Sequence, residues 1–241
     1  MKITQQIKNR LLWHVLPLPF RCRHAEYSVI ASIDDEEARA SHRLLDISIE
    51  AIQYARDMDL SDVSRRMKSP PFYPDIWPGE HYKLLAGLVA AVKPGIVIEI
   101  GTFTGLSSLS ILKSLPSDSL IVTFDILSWD RISDTCLNNA DFKDGRLKQY
   151  LGNLAAPDVF AEHRELLERA DLIFLDGPKN IVFEQDFLKN VAHLNFSTKP
   201  LFVLDDIRLW NMLRIWRNIK RPKLDLTSFG HWSGTGLIDW S

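Results

Sequence analysis

From Gly95 to Leu204 the chain alternates short, uninterrupted apolar runs with longer stretches of helical spacing, a rhythm that admits few folds. The apolar runs are Gly95 to Ile100, Leu120 to Asp125, a weaker one at Arg146 to Leu151, Asp171 to Leu175, and Pro200 to Leu204. They are apolar at consecutive rather than alternate positions, as strands are when both faces are covered. Between them Leu106 to Leu115, Val159 to Ala170 and Phe183 to Leu194 read as helices. This succession predicts an α/β fold: a doubly wound, mostly parallel sheet with helices on both faces and right-handed crossovers. The tail departs from the rhythm. Leu224 to Phe229 and Gly236 to Trp240, on either side of His231-Trp232-Ser233-Gly234, predict a final antiparallel hairpin.

Ahead of this alternation, Asp34 to Met58 carries Ala40, Leu44, Ile47, Ile49 and Ile52 near helical spacing and predicts an amphipathic helix. The Pro-dense passage from Ser69 to Pro78 cannot be regular helix and marks a boundary. The expected organisation is an N-terminal helical or lid region over 1–78 and a core over 79–241, consistent with one α/β domain plus an elaboration. Basic and acidic residues nearly cancel, 29 against 31, so no global field gathers nucleic acid or an anionic membrane. A compact, mostly neutral partner fits better. Cys22 and Cys136 make neither a disulfide framework nor a zinc cluster, and a cytoplasmic location is the simplest expectation. Lys2, Lys8 and Arg10 before Leu11 to Phe20 imitate a signal peptide, but His14, Pro17 and Pro19 interrupt the apolar run and no small-residue cleavage site follows. No stretch approaches the roughly 18 apolar residues that span a bilayer. Lys2 to Arg23 reads equally as a lid, a homo-oligomer contact or a surface-binding segment.

The first core strand runs into Glu99-Ile100-Gly101-Thr102-Phe103-Thr104-Gly105. In a Rossmann-like sheet this turn lies at the carboxyl edge, where ligands bind. A dinucleotide site would carry G-x-G-x-x-G. Here only Gly101 and Gly105 are present, with Thr102 and Phe103 among the residues between them, and an acid inside the strand. That arrangement suits a ligand with an amino-acid end: Glu99 near an ammonium group, Ser107 and the helix N-terminal amides near a carboxylate. Asp125, ending the second strand, is placed to accept both ribose hydroxyls. Ile126 would lie against adenine and Asn153 at its edge, which makes S-adenosylmethionine the expected cofactor. Taken alone, the glycine turn is also an ordinary strand-to-helix connection.

Two later strands end in Asp176-Gly177-Pro178-Lys179 and in Asp205-Asp206. Three carboxylates at one edge repel one another unless a cation sits among them, and Mg²⁺ is the economical choice for oxygen ligands. The competing reading has Asp205 and Asp206 capping a following helix, and Lys179 solvated at the surface. From about Gly79 to Asp206, through the helix Glu80 to Val92, the E-x-G-x-x-x-G turn, Ser107, Asp125 and D-x-x-K, the sequence resembles the catechol O-methyltransferase-like, Mg²⁺-dependent O-methyltransferases. The resemblance implies Asp176, Asp205 and Asp206 as metal ligands, with Asp206 where the family commonly has Asn. Asp176 also counts among the cofactor residues, with Glu99, Ser107 and Asp125. It implies Lys179 as general base, its pKa depressed by burial and the metal and raised by the carboxylates; His231 is a second candidate. The acceptor expected is a small-molecule hydroxyl: a phenol, a sugar or a natural-product intermediate. Phe72, Tyr73, Trp77, Phe229 and Trp232 read as aromatic loops beside its entrance or as packing. A metal-independent N- or O-methyltransferase and a non-catalytic partner subunit are the alternatives.

Overall fold

The computed structural model describes residues 38–241, which belong to one compact unit. The Lys2 to Arg23 segment, Cys22 and the beginning of the Asp34 helix lie outside the described residues.

Helix α1, His42–Asp57, starts at Ser41, whose hydroxyl accepts the Leu44 amide at 3.2 Å. Leu44, Ser48, Ala51 and Ala55 repeat along one face and are buried. After the short helix α2, Ser61–Ser64, the Pro-rich passage contributes only a 3-10 turn at Tyr73–Asp75, as its prolines require. Helix α3, Tyr82–Val92, is almost wholly apolar and packs against α1 so closely that a Cβ on Gly87 would overlap the Ala51 carbonyl oxygen.

The sheet follows the expected alternation: β1 Ile96–Ile100, α4 Leu106–Ser114, β2 Leu120–Asp125, β3 Leu147–Leu151, β4 Leu172–Leu175, α7 Val182–Val191 and β5 Leu201–Asp205. The helix expected over Val159 to Ala170 begins earlier, with Pro157 in its first turn, and breaks at His163 into α5, Pro157–Glu162, and α6, Arg164–Glu168. Helix α8, Trp210–Asn218, follows Asp205-Asp206, where a helix was expected only under the capping reading. The hairpin is present as β6, Lys223–Asp225, and β7, Thr235–Asp239, with a 3-10 turn at Thr227–Phe229 in place of further strand.

Strand order is β3-β2-β1-β4-β5-β7-β6; β7 runs antiparallel to both neighbours and the remaining pairs are parallel. Along each central strand, side chains alternate between two cores. Val97, Ile121, Phe174 and Val203 join the layer under α1, α3 and α4. Ile98, Val122, Ile173 and Phe202 join Phe160, Phe187 and Trp216 from α5, α7 and α8 on the other face. Both faces being covered is why these strands read as continuous apolar runs. Among the described residues no helix is long and apolar enough to cross a membrane.

Candidate active site

Strands β2, β1, β4 and β5 end side by side, and backbone bonds keep the ends level. The Gly101 amide donates to the Phe124 carbonyl at 2.8 Å, and the Asp176 amide to the Ile100 carbonyl at 2.9 Å. The turn after β1 is therefore held between Asp125 and Asp176. Gly101 has φ +101°, and a Cβ there would overlap the Asp176 carbonyl oxygen, so no other residue fits. Gly105, at φ +79°, opens α4. Amides of Phe103 and Leu127 donate to the two Asp125 carboxylate oxygens at 3.0 and 3.1 Å, fixing that acid at the rim.

A cavity of about 690 Å³ runs along these strand ends. Gly101, Phe103, Asp125, Ile126, Asn153 and Asp176 line it, together with Lys179. Glu99, Thr102, Gly105 and Ser107 are not on its wall. Thr102 bonds Thr123 and Gln149 beneath the turn, at 2.8 and 3.0 Å. Glu99 is fully buried inside β1, where the hydroxyl of Ser108 donates to it; Ser107, expected at the carboxylate of the ligand, lies beside the same acid. Burial pushes the Glu99 carboxyl up to about 7, against the nearby hydroxyls of Ser107, Ser108 and Thr123, which favour its ionised form.

Asp176, Asp205 and Asp206 converge, each offering an oxygen within 4.8 Å of the others. Neither Asp205 nor Asp206 caps α8, whose N-cap Leu209 makes no side-chain bond, so the capping reading fails. Lys179 is not a surface lysine. Its ammonium bonds Asp176 and sits 3.0 Å from Asp206 Oδ2 and 3.7 Å from Asp205 Oδ2. Burial opposes that charge, yet Asp176 and Asp205 outweigh it and hold the Lys179 pKa above its ordinary value. Two left-handed residues shape the loop that carries it, Lys179 at φ 54° and Ile181 at φ 74°. Such conformations cost about 1–3 kcal/mol each and persist where the surroundings enforce them. Glu184 of α7 does so by accepting the Lys179 amide at 2.8 Å, and Asn211 of α8 by donating to the Lys179 carbonyl.

The other candidate base, His231, lies 3.4 Å from Asp205 Oδ1 and 3.3 Å from Asp206 Oδ1 through Nδ1, and 3.6 Å from Glu80 through Nε2. Burial works against its charge, but the nearby carboxylates of Asp205 and Asp206 prevail and push the pKa up to about 10. The His231 loop is tied to the Pro-rich passage: the Trp232 amide donates to the Gly79 carbonyl at 2.9 Å and the Trp77 indole to the Phe229 carbonyl at 2.7 Å. The two expected aromatic loops thus meet, with Trp77 and Phe229 ring centres 6.4 Å apart.

The O-methyltransferase family profile matches residues 62–211, well over half of the chain. The chain belongs to the O-methyltransferase family. It is a methyltransferase of the S-adenosylmethionine-dependent, catechol O-methyltransferase-like class with a Rossmann-like sheet. No curated protein matches its sequence. Among solved structures, a provisionally named caffeoyl-CoA O-methyltransferase from Staphylococcus aureus is 15% identical, TM-score 0.52, over 82% of this chain and 100% of that one. A protein from Corynebacterium glutamicum is 16% identical, TM-score 0.50, over 79% and 89%. The O-methyltransferase of Bacillus cereus, solved with S-adenosylhomocysteine, is 17% identical over 81% and 90%, with TM-score 0.47. The first two likenesses support the fold.

Sequence reading of this O-methyltransferase missed Glu80, His81, Glu184, Asn211 and Ser233. Glu80 and His81 left one trace: a charged pair directly ahead of an otherwise apolar helix. Glu184 and Asn211 left none, because they act on the backbone of Lys179 from two helices.

Proposed function

We propose that this O-methyltransferase moves the methyl group of S-adenosylmethionine to a hydroxyl of a small molecule, a phenol, sugar or natural-product intermediate, assisted by a divalent cation. One observation carries this reading: the cavity at the ends of β1, β2 and β4 shares two wall residues, Asp176 and Lys179, with the carboxylate cluster. A cofactor lying there has its reactive end beside that cluster, which is what in-line transfer to a held oxygen needs.

Asp125 would take the ribose hydroxyls, Ile126 and Asn153 the adenine, and Glu99, beneath the Gly101 turn, the ammonium end. Asp176, Asp205 and Asp206 fit a hard cation. Each offers an oxygen within 4.8 Å of the others, and oxygen donors match the preference of Mg²⁺. When bound, such an ion supplies charge that lowers the pKa of a hydroxyl. With the carboxylates alone Lys179 is an ammonium; a bound cation would offset their charge and lower its pKa, and Nζ, on the cavity wall, is then the atom that would take the acceptor proton. Trp77, Phe229 and His231 border the acceptor side and would orient it. The ammonium of Lys179 among three acids favours a second reading, in which the lysine is the cation and no metal takes part.

Methyl transfer to a panel of phenols, sugars and phenolic acids, with chelator and with Mg²⁺ restored, separates the two. The expected result is activity restored by Mg²⁺, and a loss of a hundredfold or more in Asp206→Asn, whose carboxylate is off the cavity wall, with S-adenosylhomocysteine binding retained, on the order of the few kcal/mol a metal supplies. Full activity in chelator would establish the second reading and sink the first.

A further inference from the structure

Asp205 faces two ways. Its Oδ2 is directed to Lys179, whereas Oδ1 lies 3.4 Å from Nδ1 of His81 and 3.4 Å from Nδ1 of His231. His81 is 4% exposed, and neither ring nitrogen finds a hydrogen-bond partner among the described residues; nor does Asp205 Oδ1. A buried imidazole with both nitrogens unsatisfied costs on the order of 1–3 kcal/mol for each polar atom, so the space beside it calls for a ligand. The three groups offer ligand atoms within 4.8 Å of one another. A tetrahedral ion with bonds of about 2.1 Å holds its donors roughly 3.4 Å apart, the separation found on both sides of Asp205 Oδ1. Glu80 Oε2, 3.6 Å from the far nitrogen of His231, is placed as the carboxylate that orients a ligating imidazole. The His81 ring is held by Tyr82 and Phe174, with centres 4.4 and 5.4 Å away, and stands edge-on to His231 at 5.4 Å.

We propose that His81, Asp205 and His231 form a second cation site, distinct from the oxygen-only cluster and joined to it through the Asp205 carboxylate, that takes a first-row transition ion such as Zn²⁺, Co²⁺ or Mn²⁺. Two imidazoles and one carboxylate are borderline ligands that bind such ions in preference to Mg²⁺. Without an ion, the Ser233 hydroxyl donates to Asp206 and its oxygen stands 2.6 Å from His231 Nδ1, a contact that an ion bound at Nδ1 replaces. This deepens the reading above and rests on it only for the second role of Asp205.

The test is Co²⁺ titration of the chelator-treated full-length chain, followed by visible absorption and calorimetry. The expected result is one Co²⁺ per chain with the d–d spectrum of a nitrogen-containing site, unmoved by excess Mg²⁺. His81→Gln and, independently, the more accessible His231→Asn should each weaken Co²⁺ at least tenfold, while Asp176→Asn leaves it unchanged. A native circular dichroism spectrum with a cooperative thermal transition shows that each variant is folded. Wild-type Co²⁺ affinity in both histidine variants, displacement of Co²⁺ by Mg²⁺, or no Co²⁺ binding at all overturns the proposal. Because this readout is spectroscopic, metal-independent methyl transfer would end the earlier reading without touching this one.

Discussion

Glu99 is a side chain whose complete burial costs stability. A carboxyl buried in β1 with its pKa pushed up to about 7 is held above the 4.5 of an unfolded glutamate. Between those values the unfolded chain gives up the proton and the folded chain keeps it, so stability falls as pH rises from about 4.5 to about 7 and is level above. For a wholly buried group the loss is on the order of 3 kcal/mol. Glu99→Gln should abolish that slope in urea unfolding followed from pH 5 to pH 8, and raise stability at pH 8. Its affinity for S-adenosylhomocysteine at pH 8 should fall at least tenfold, because the ammonium loses its counter-charge. A variant with the wild-type slope would mean that Glu99 is ionised throughout, and unchanged affinity would remove it from the cofactor site. The same scale exposes what residue identity alone could not convey: Ser108 as well as Ser107 lies at Glu99, because the acid is buried against the first turn of α4.

At the scale of elements, the strands and their terminal acids were legible because burial on both faces leaves an uninterrupted apolar run and the next residue emerges at the edge. Asp125, Asp176 and Asp205 each follow such a run, and the register that brings them level is a consequence of parallel pairing. Helix α8 carries a regular buried stripe, Met212, Ile215 and Trp216, so its spacing was legible; it entered the sequence reading only as the helix that Asp205 and Asp206 would cap. The partners of His231 were illegible because Glu80 and His81 reach it through the sheet order, not through sequence spacing. The turn itself is the element most open to test. Gly101→Ala places a Cβ against the Asp176 carbonyl at φ +101°, which forces β1 and β4 apart at the cofactor edge. The expected cost is about 2–4 kcal/mol, a fall in Tm of roughly 5–15 °C, with cofactor binding lost in proportion. A Tm within 2 °C of wild type would mean that the turn relaxes freely and that its glycine serves no packing purpose.

The whole molecule is closed by a contact between the first described helix and the last strand. Asp239, buried in β7, accepts the Ser41 hydroxyl and the Arg43 guanidinium, each at 2.6 Å, and Arg43 also reaches the Lys199 carbonyl at 2.6 Å ahead of β5. Ser41 is the N-cap of α1, so one carboxylate fixes the start of that helix, the end of β7 and the approach to β5. Since β7 pairs directly with β5, and Asp206 and His231 lie on the loops joining them, the latch bears on the geometry of the acid cluster from the opposite edge of the sheet. Burial raises the Asp239 pKa, but the Ser41 and Arg43 contacts outweigh it and hold the carboxyl below its ordinary value. A depressed carboxyl contributes stability that is present above its unfolded pKa and lost as pH falls through the folded one, so this latch opens only in acid. Asp239→Asn should lower stability at pH 7 by about 1–3 kcal/mol, as expected when a buried charged hydrogen bond is removed, and flatten the acid limb of the unfolding profile below about pH 4. Arg43→Met, which leaves Asp239 buried with the Ser41 hydroxyl and the Ser241 amide but no cation, should cost at least as much. If both variants unfold at the wild-type midpoint, α1 is held by its apolar face against α3 alone, and the two ends of the described chain are coupled only through the core.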